Sequence, residues 1–171
     1  ALANQVFSTA TDSYNTAVGQ AAGLQVTTGT ENTFIGAEAG DAITTAVKNV
    51  ALGKSALSAD TKGDKSTAIG QGALANQNFT TSTETHNTAV GHFAGLSVTT
   101  GTNNTLVGSG AGDALTTGQQ NTAIGGFALT ADDVGLYSTA IGWGALQVQN
   151  YATATNSYNT ALGYNAGAAV T

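Results

Sequence analysis

Apolar and polar positions alternate along this chain in short bursts, and the bursts recur. Each copy reads Asn or Ser, usually Thr, a small or apolar residue, Val/Ile/Leu, then Gly; two variable residues, Ala, and Gly or Leu follow. The copies begin at Asn15, Asn32, Asn49, Ser66, Asn87, Asn104, Asn121, Ser138 and Asn159. Their glycines, Gly19, Gly36, Gly53, Gly70, Gly91, Gly108, Gly125, Gly142 and Gly163, are 17 residues apart except for steps of 21 from Gly70 to Gly91 and from Gly142 to Gly163. Three short steps and one long one make a 72-residue unit. Residues 1–72 and 73–144 align without a gap and match at 44 of 72 positions, and 145–171 begin a third unit. A fixed short period marks stacked supersecondary units rather than a globule, so the three units are expected to form one continuous rod-like domain.

The centre of each copy, as in Thr16-Ala17-Val18, suits a strand because its residues are β-branched or small. A five-residue strand from Asn15 to Gly19, closed by Gly at this period, predicts an all-β fold, a parallel β-roll or β-solenoid of stacked 17- and 21-residue coils. Helices are poorly supported by segments rich in Thr, Gly and Asn. Alternate strand residues point to opposite faces. One face then carries Val18, Ile35, Leu52, Ile69, Val90, Val107, Ile124, Ile141 and Leu162. The other carries Ala17, Phe34, Ala51, Ala68, Ala89, Leu106, Ala123, Ala140 and Ala161. Both are apolar, and a 17-residue coil is too thin to hold much core alone. One face is therefore expected inside the coil and the other against neighbouring chains, in an intertwined or side-by-side homotrimer. The seam is expected at the Ala17, Phe34 and Leu106 file.

The glycines read as tight corners or close backbone approaches. At the end of the motif Gly23, Gly40, Gly95, Gly112 and Gly167 alternate with Leu57, Leu74, Leu129 and Leu146. The Gly coils are expected to leave space for something else, such as another chain. The Asn file has two uses open to it, capping turn amides or stacking as a ladder between coils. Ser66 and Ser138, in the coil before each long one, read as turn adjustment.

At these motifs the chain resembles the head domains of trimeric autotransporter adhesins, whose repeats run close to Asn-Ser-Val-Ala-Ile-Gly. The matching stretches include Asn15–Gly19, Asn49–Gly53 and Asn159–Gly163. It is also similar to repeats of some phage tail fibres and bacterial surface fibres. The resemblance covers nearly all the chain, though the motif is short. It implies a parallel β-roll, trimeric assembly and an extracellular place on a cell surface or virion fibre. This chain has one residue fewer between Asn and Gly, and longer coils, than the adhesin heads.

Composition narrows the chemistry. Charge is sparse, four Lys/Arg against ten Asp/Glu, 8% of residues, with a net charge of −6. Ordinary domains carry about 25% charged residues. No basic stripe favours nucleic acid. There is no cysteine, hence no disulfide framework or thiol chemistry. No run reaches the ~18 apolar residues of a membrane-spanning helix, and no direct membrane insertion is expected.

The candidate binding residues lie in the long coils and the equivalent opening segment: Phe7, Tyr14, Phe79, His86, Tyr151 and Tyr158, among Ser and Thr. Extra length in a solenoid becomes a loop on one face, and rings beside hydroxyls suit a glycan or a surface receptor. The competing reading has these rings covering a widened coil or a subunit seam. His86 and His92 with Glu84 lack the three or four converging ligands of a metal site. The pairs Asp41/Asp113 and Asp60/Asp132 stand four coils apart, roughly 19 Å at the strand spacing, too far for one hydrolytic site, and turn capping is their default. No cofactor and no catalysis are expected. Thr pairs such as Thr27-Thr28 and Thr44-Thr45 raise ice binding, against which the long coils are expected to break the lattice. The expected role is a structural fibre or adhesin shaft or head segment, with a stand-alone carbohydrate- or ice-binding solenoid as the alternative.

Overall fold

A computed structural model describes residues 1–170. The chain winds as a parallel β-solenoid. Nine three-residue strands, Thr16–Val18, Thr33–Ile35, Val50–Leu52, Thr67–Ile69, Thr88–Val90, Thr105–Val107, Thr122–Ile124, Thr139–Ile141 and Thr160–Leu162, form one sheet in chain order. Every neighbouring pair is parallel, with equivalent residues opposite one another. At ~4.8 Å per strand, eight steps make a sheet about 38 Å long. The strands are shorter than the expected five residues, because Asn before them and Gly after them turn the corners.

Main-chain bonds hold coil to coil on both sides of each strand: Thr16 N–H donates to Asn32 O (2.8 Å) and Gly36 N–H to Val18 O (2.8 Å), and the pattern recurs up the rod. The Gly19 file has φ near +133° at its first member, and a Cβ built there would lie 2.5 Å from Gly36 O of the next coil. Both the backbone conformation and the stacking distance therefore exclude a side chain. Other corner positions are left-handed without being glycine, among them Glu31 (φ 60°), Leu57 (φ 53°) and Phe127 (φ 56°). Each such residue costs about 1 kcal/mol or more, offset by the coil-to-coil ladder.

The Ala17, Phe34, Leu106 file faces into the coil and is buried within the single chain; the Val18 file faces out. This corrects the expected seam. Phe34 and Leu106 are enclosed by their own coils, so they are not available to another chain. The same packing answers the Gly/Leu alternation. A Cβ on Gly23 would lie 2.8 Å from the Phe34 ring, and one on Gly95 or Gly112 2.7 Å from the Leu106 side chain. Where the strand instead offers Ala51, Ala68, Ala123 or Ala140, the corner supplies buried Leu57, Leu74, Leu129 or Leu146. Bulk is traded between strand and corner within one chain, and the space beside the Gly corners is already filled.

Of the two uses left open to it, the buried Asn file takes the first: its side chains cap backbone groups of the next coil and do not bond to one another as an amide ladder. Asn32 Oδ1 accepts from Asn49 N (2.9 Å) while its Nδ2 donates to Ala46 O (2.9 Å). Both partners lie in the next coil, so each Asn clasps that coil's corner. Asn15, Asn49, Asn104 and Asn121 do likewise. Ser66 and Ser138 are not merely turn adjustments. Their shorter side chains admit Gln77 and Gln149 from the long coils. Gln77 Nε2 donates to Asp60 Oδ2 (2.5 Å) and Ser66 Oγ (2.9 Å), and Asn87 donates to Gln77 Oε1 (2.9 Å). Gln149, Asp132, Ser138 and Asn159 repeat the arrangement. The long coils use their added residues in a second two-stranded ladder, Gly63–Asp64 with Thr83–Glu84 and Gly135–Leu136 with Thr155–Asn156.

Candidate functional site

The outward face of the nine-stranded sheet is the largest regular surface the fold produces. Along each strand Thr and Val/Ile/Leu point outward on either side of an inward Ala, Phe or Leu. The apolar outward file faces solvent: Ile35, Leu52 and Ile124 are exposed, as are Val18 and Leu162 in the end coils, and Ile69, Val90, Val107 and Ile141 are half-buried between their neighbours. Beside it run Thr16, Thr33, Thr67, Thr88, Thr105, Thr122, Thr139 and Thr160, with Val50 in the third coil. The corner threonines Thr27, Thr44, Thr99 and Thr116 donate their hydroxyls to carbonyls of the next coil at 3.0–3.2 Å. That use takes the first Thr of each pair out of the lattice considered from sequence, while Thr28, Thr45, Thr100 and Thr117 stay exposed. The strand threonines spend no hydroxyl this way. Their file also runs unbroken through the long coils, since Thr67 pairs with Thr88 and Thr139 with Thr160. The break expected of the Thr pairs stands, since Lys62 and Val134 take the places that follow Thr45 and Thr117; the strand file is a different one, and it passes the long coils because their added residues sit in the second ladder.

Two borders flank the face. The residue before each Asn or Ser is left-handed: Tyr14, Glu31, Lys48, Lys65 and His86 in the first five coils, Asn103, Gln120, Tyr137 and Tyr158 in the last four. Lys65 meets Glu84 at 2.5 Å, and this bond holds the Glu84 carboxyl below its ordinary range. Lys48 and Glu31 stand 3.9 Å apart, and His86 and Glu84 3.8 Å. Tyr137 and Tyr158 stack, with ring centroids 5.2 Å apart. On the other border, after the glycine file, Trp143 stacks on Tyr164 (5.3 Å, 14° between planes) and meets Phe127 edge to face (6.0 Å).

The sequence-chosen aromatics divide between inside and outside. Phe79 is buried, Phe7 and Tyr151 are half-buried, and Tyr14, His86 and Tyr158 are exposed. Phe79 lines the widened coil, its N–H bonded to Asp60 Oδ1 (3.1 Å), and Tyr151 takes a bond from Asn159 (3.0 Å). They do not gather on one loop face. Phe127, Tyr137, Trp143 and Tyr164 were not among those residues. Reading the positions just before each Asn/Ser and just after each glycine as two columns would have shown Tyr137, Trp143 and Tyr164 beside Tyr14, His86, His92 and Tyr158; Phe127 lies one place beyond the second column.

The acidic residues do not converge. Asp60 Oδ1 caps Gly63 N (3.0 Å), the turn role expected of it. Burial pushes its carboxyl above the ordinary range, against the bonds from Gln77, Phe79 and Gly63. Burial likewise raises Asp41 and Asp113. His92 packs on Phe93 with centroids 3.9 Å apart. Among the described residues no three His, Asp or Glu side chains come together as a metal site, no cleft forms, and no helix is long and apolar enough to cross a membrane. Compared with protein-family models, curated proteins and solved structures, the chain matches none.

Proposed function

We propose that this chain is a non-enzymatic structural segment of an extracellular fibre or adhesin, extending a rod and presenting attachment surfaces on a cell or virion, and that copies associate side by side, as a trimer, through the outward strand face. The outward Val18–Leu162 file carries this reading. Nine branched apolar side chains in one straight row are more than scattered surface hydrophobes. Each strand spans three residues, about 10 Å. Over a length of about 38 Å the strand face alone makes a strip of roughly 380 Å², about half the ~800 Å² each partner contributes to a standard interface, and the two borders extend it. Coil-to-coil stacking suits a rod, since each coil draws stability from its neighbours and further copies lengthen the shaft without new design.

Sedimentation equilibrium over a wide concentration range tests this. A stable mass of three chains is expected; a monomer at every concentration would remove the lateral interface. A second reading draws support from the strand threonines, whose hydroxyls form a row, interrupted at Val50, beside a row of apolar side chains. Such a face on a solitary solenoid suits ice. Thermal hysteresis in a monomeric preparation, abolished by Thr105→Lys, would favour it over the fibre.

A further inference from the structure

We infer that Tyr137 and Tyr158 form a site of oxidative coupling, where a one-electron oxidant of the haem-peroxidase class joins the two rings through carbon and locks the eighth coil to the ninth. The pair lies within one chain and owes nothing to lateral association. Its geometry is set by the backbone. Leu136 and Ser157 precede the two tyrosines, and Ser157 N–H donates to Leu136 O (3.0 Å); just beyond them Thr139 N–H donates to Asn159 O (2.8 Å). Both tyrosines are left-handed, with φ 64° and 50°. Held between these two cross-coil bonds, the rings stack with centroids 5.2 Å apart and 11° between planes. Among the described residues no other two tyrosines stack.

The internal repeat marks this place as a tie between coils that the winding itself does not need as rings. One unit earlier the positions of Tyr137, Asn156 and Tyr158 hold Lys65, Glu84 and His86. There Lys65 meets Glu84 at 2.5 Å, and His86 stands 3.8 Å from the same carboxylate. In the later unit Asn156 Nδ2 donates to the Tyr158 hydroxyl (3.2 Å) and the rings stack. The backbone is the same with either set, φ being 61° at Lys65 and 51° at His86. The earlier tie is ionic and exposed, so salt weakens it. The later one is uncharged and built of phenols, which one-electron oxidation makes covalent. The chain has no cysteine, so no disulfide does this work. Tyr137 is exposed to such an oxidant.

The step balances. Each phenol gives the oxidant one electron and its hydroxyl proton, leaving the unpaired electron partly on the ring carbons beside the one that bears oxygen. One such carbon from each ring forms the new C–C bond, and each then passes its hydrogen to its own oxygen, restoring both phenols. One hydrogen peroxide takes up the two electrons and two protons through the peroxidase and leaves as two waters, so the chain loses two hydrogens.

The full chain treated with a haem peroxidase and hydrogen peroxide tests this. Denaturing mass spectrometry is expected to show a single chain lighter by two hydrogens, and a digest to join the peptides carrying Tyr137 and Tyr158. Proximity should speed the coupling, so Tyr137→Phe and Tyr158→Phe should each slow the rise of dityrosine fluorescence by about 10-fold or more. Both variants should keep the wild-type circular dichroism, and Tyr14→Phe should leave the rate unchanged. In the coupled chain, hydrogen exchange at Thr160–Leu162 should slow by about 10-fold or more. A product of twice the chain mass, coupling that survives Tyr158→Phe, or oxidation that stops at Trp143 and leaves both tyrosines intact overturns the site. Coupling with unchanged exchange overturns the lock.

Discussion

The trade of bulk between strand and corner can be tested by moving it. Phe34 fills the space of two glycine corners, its own Gly40 and Gly23 of the preceding coil. Phe34→Ala empties that space and should destabilise the chain by about 3–5 kcal/mol. Gly40→Leu in the wild-type background drives a side chain into the ring, with the new Cβ only 2.5 Å from Phe34 Cδ1. Overpacking of about 1–3 kcal/mol adds to about 1 kcal/mol for a left-handed Leu. Combined, the two substitutions recreate the solution found one coil on, where Ala51 stands with a buried Leu57. The double variant should therefore be more stable than Phe34→Ala alone, with a coupling of about 3 kcal/mol. It should fall short of wild type, because the space over Gly23 stays partly empty. Urea midpoints and slopes of the four proteins, taken at one oligomeric state, close the cycle. Additive losses would refute the claim that strand and corner share one volume.

Other consequences of the stack are open to the same measurement. Gly108→Ala places a methyl 2.5 Å from Gly125 O at φ +137°, and should destabilise by about 3–5 kcal/mol; a loss below about 1 kcal/mol would show that the coils can part there. Asn104→Ala strands the Asn121 N–H and the Gly118 carbonyl inside the rod, with an expected loss of about 2–4 kcal/mol in urea unfolding. Burial raises the Asp60, Asp41 and Asp113 carboxyls in the folded chain. The folded state then binds protons more readily than the unfolded one, whose carboxyls titrate near 3.9. Stability should rise as pH falls from neutrality towards about pH 4 and be lost as pH climbs back through the folded values. Thermal melts across this range check the sign, and Asp60→Asn should flatten the rise; a flat profile in the parent chain would contradict the burial argument.

Period, parallel stacking and register are legible in the chain itself, because a 17-residue repeat admits few ways of placing like on like. The apolar columns and the glycine file could be read for the same reason. The side facing inward could not. Ala17 and Val18 head columns that are both apolar, and alternation sorts residues into two faces without choosing between them when neither is polar. The choice depends on where the corners bring Gly40, Leu57 and Asn32, and so on left-handed backbone at residues such as Leu57 and Glu31, which nothing in their side chains announces. The free Thr hydroxyls and the outward Val18 file follow from that decision. The long coils show the same division. Their four added residues are plain in the sequence, but Asp60, Gln77, Ser66 and Asn87 are far apart along the chain, and only the winding of one coil upon another joins them.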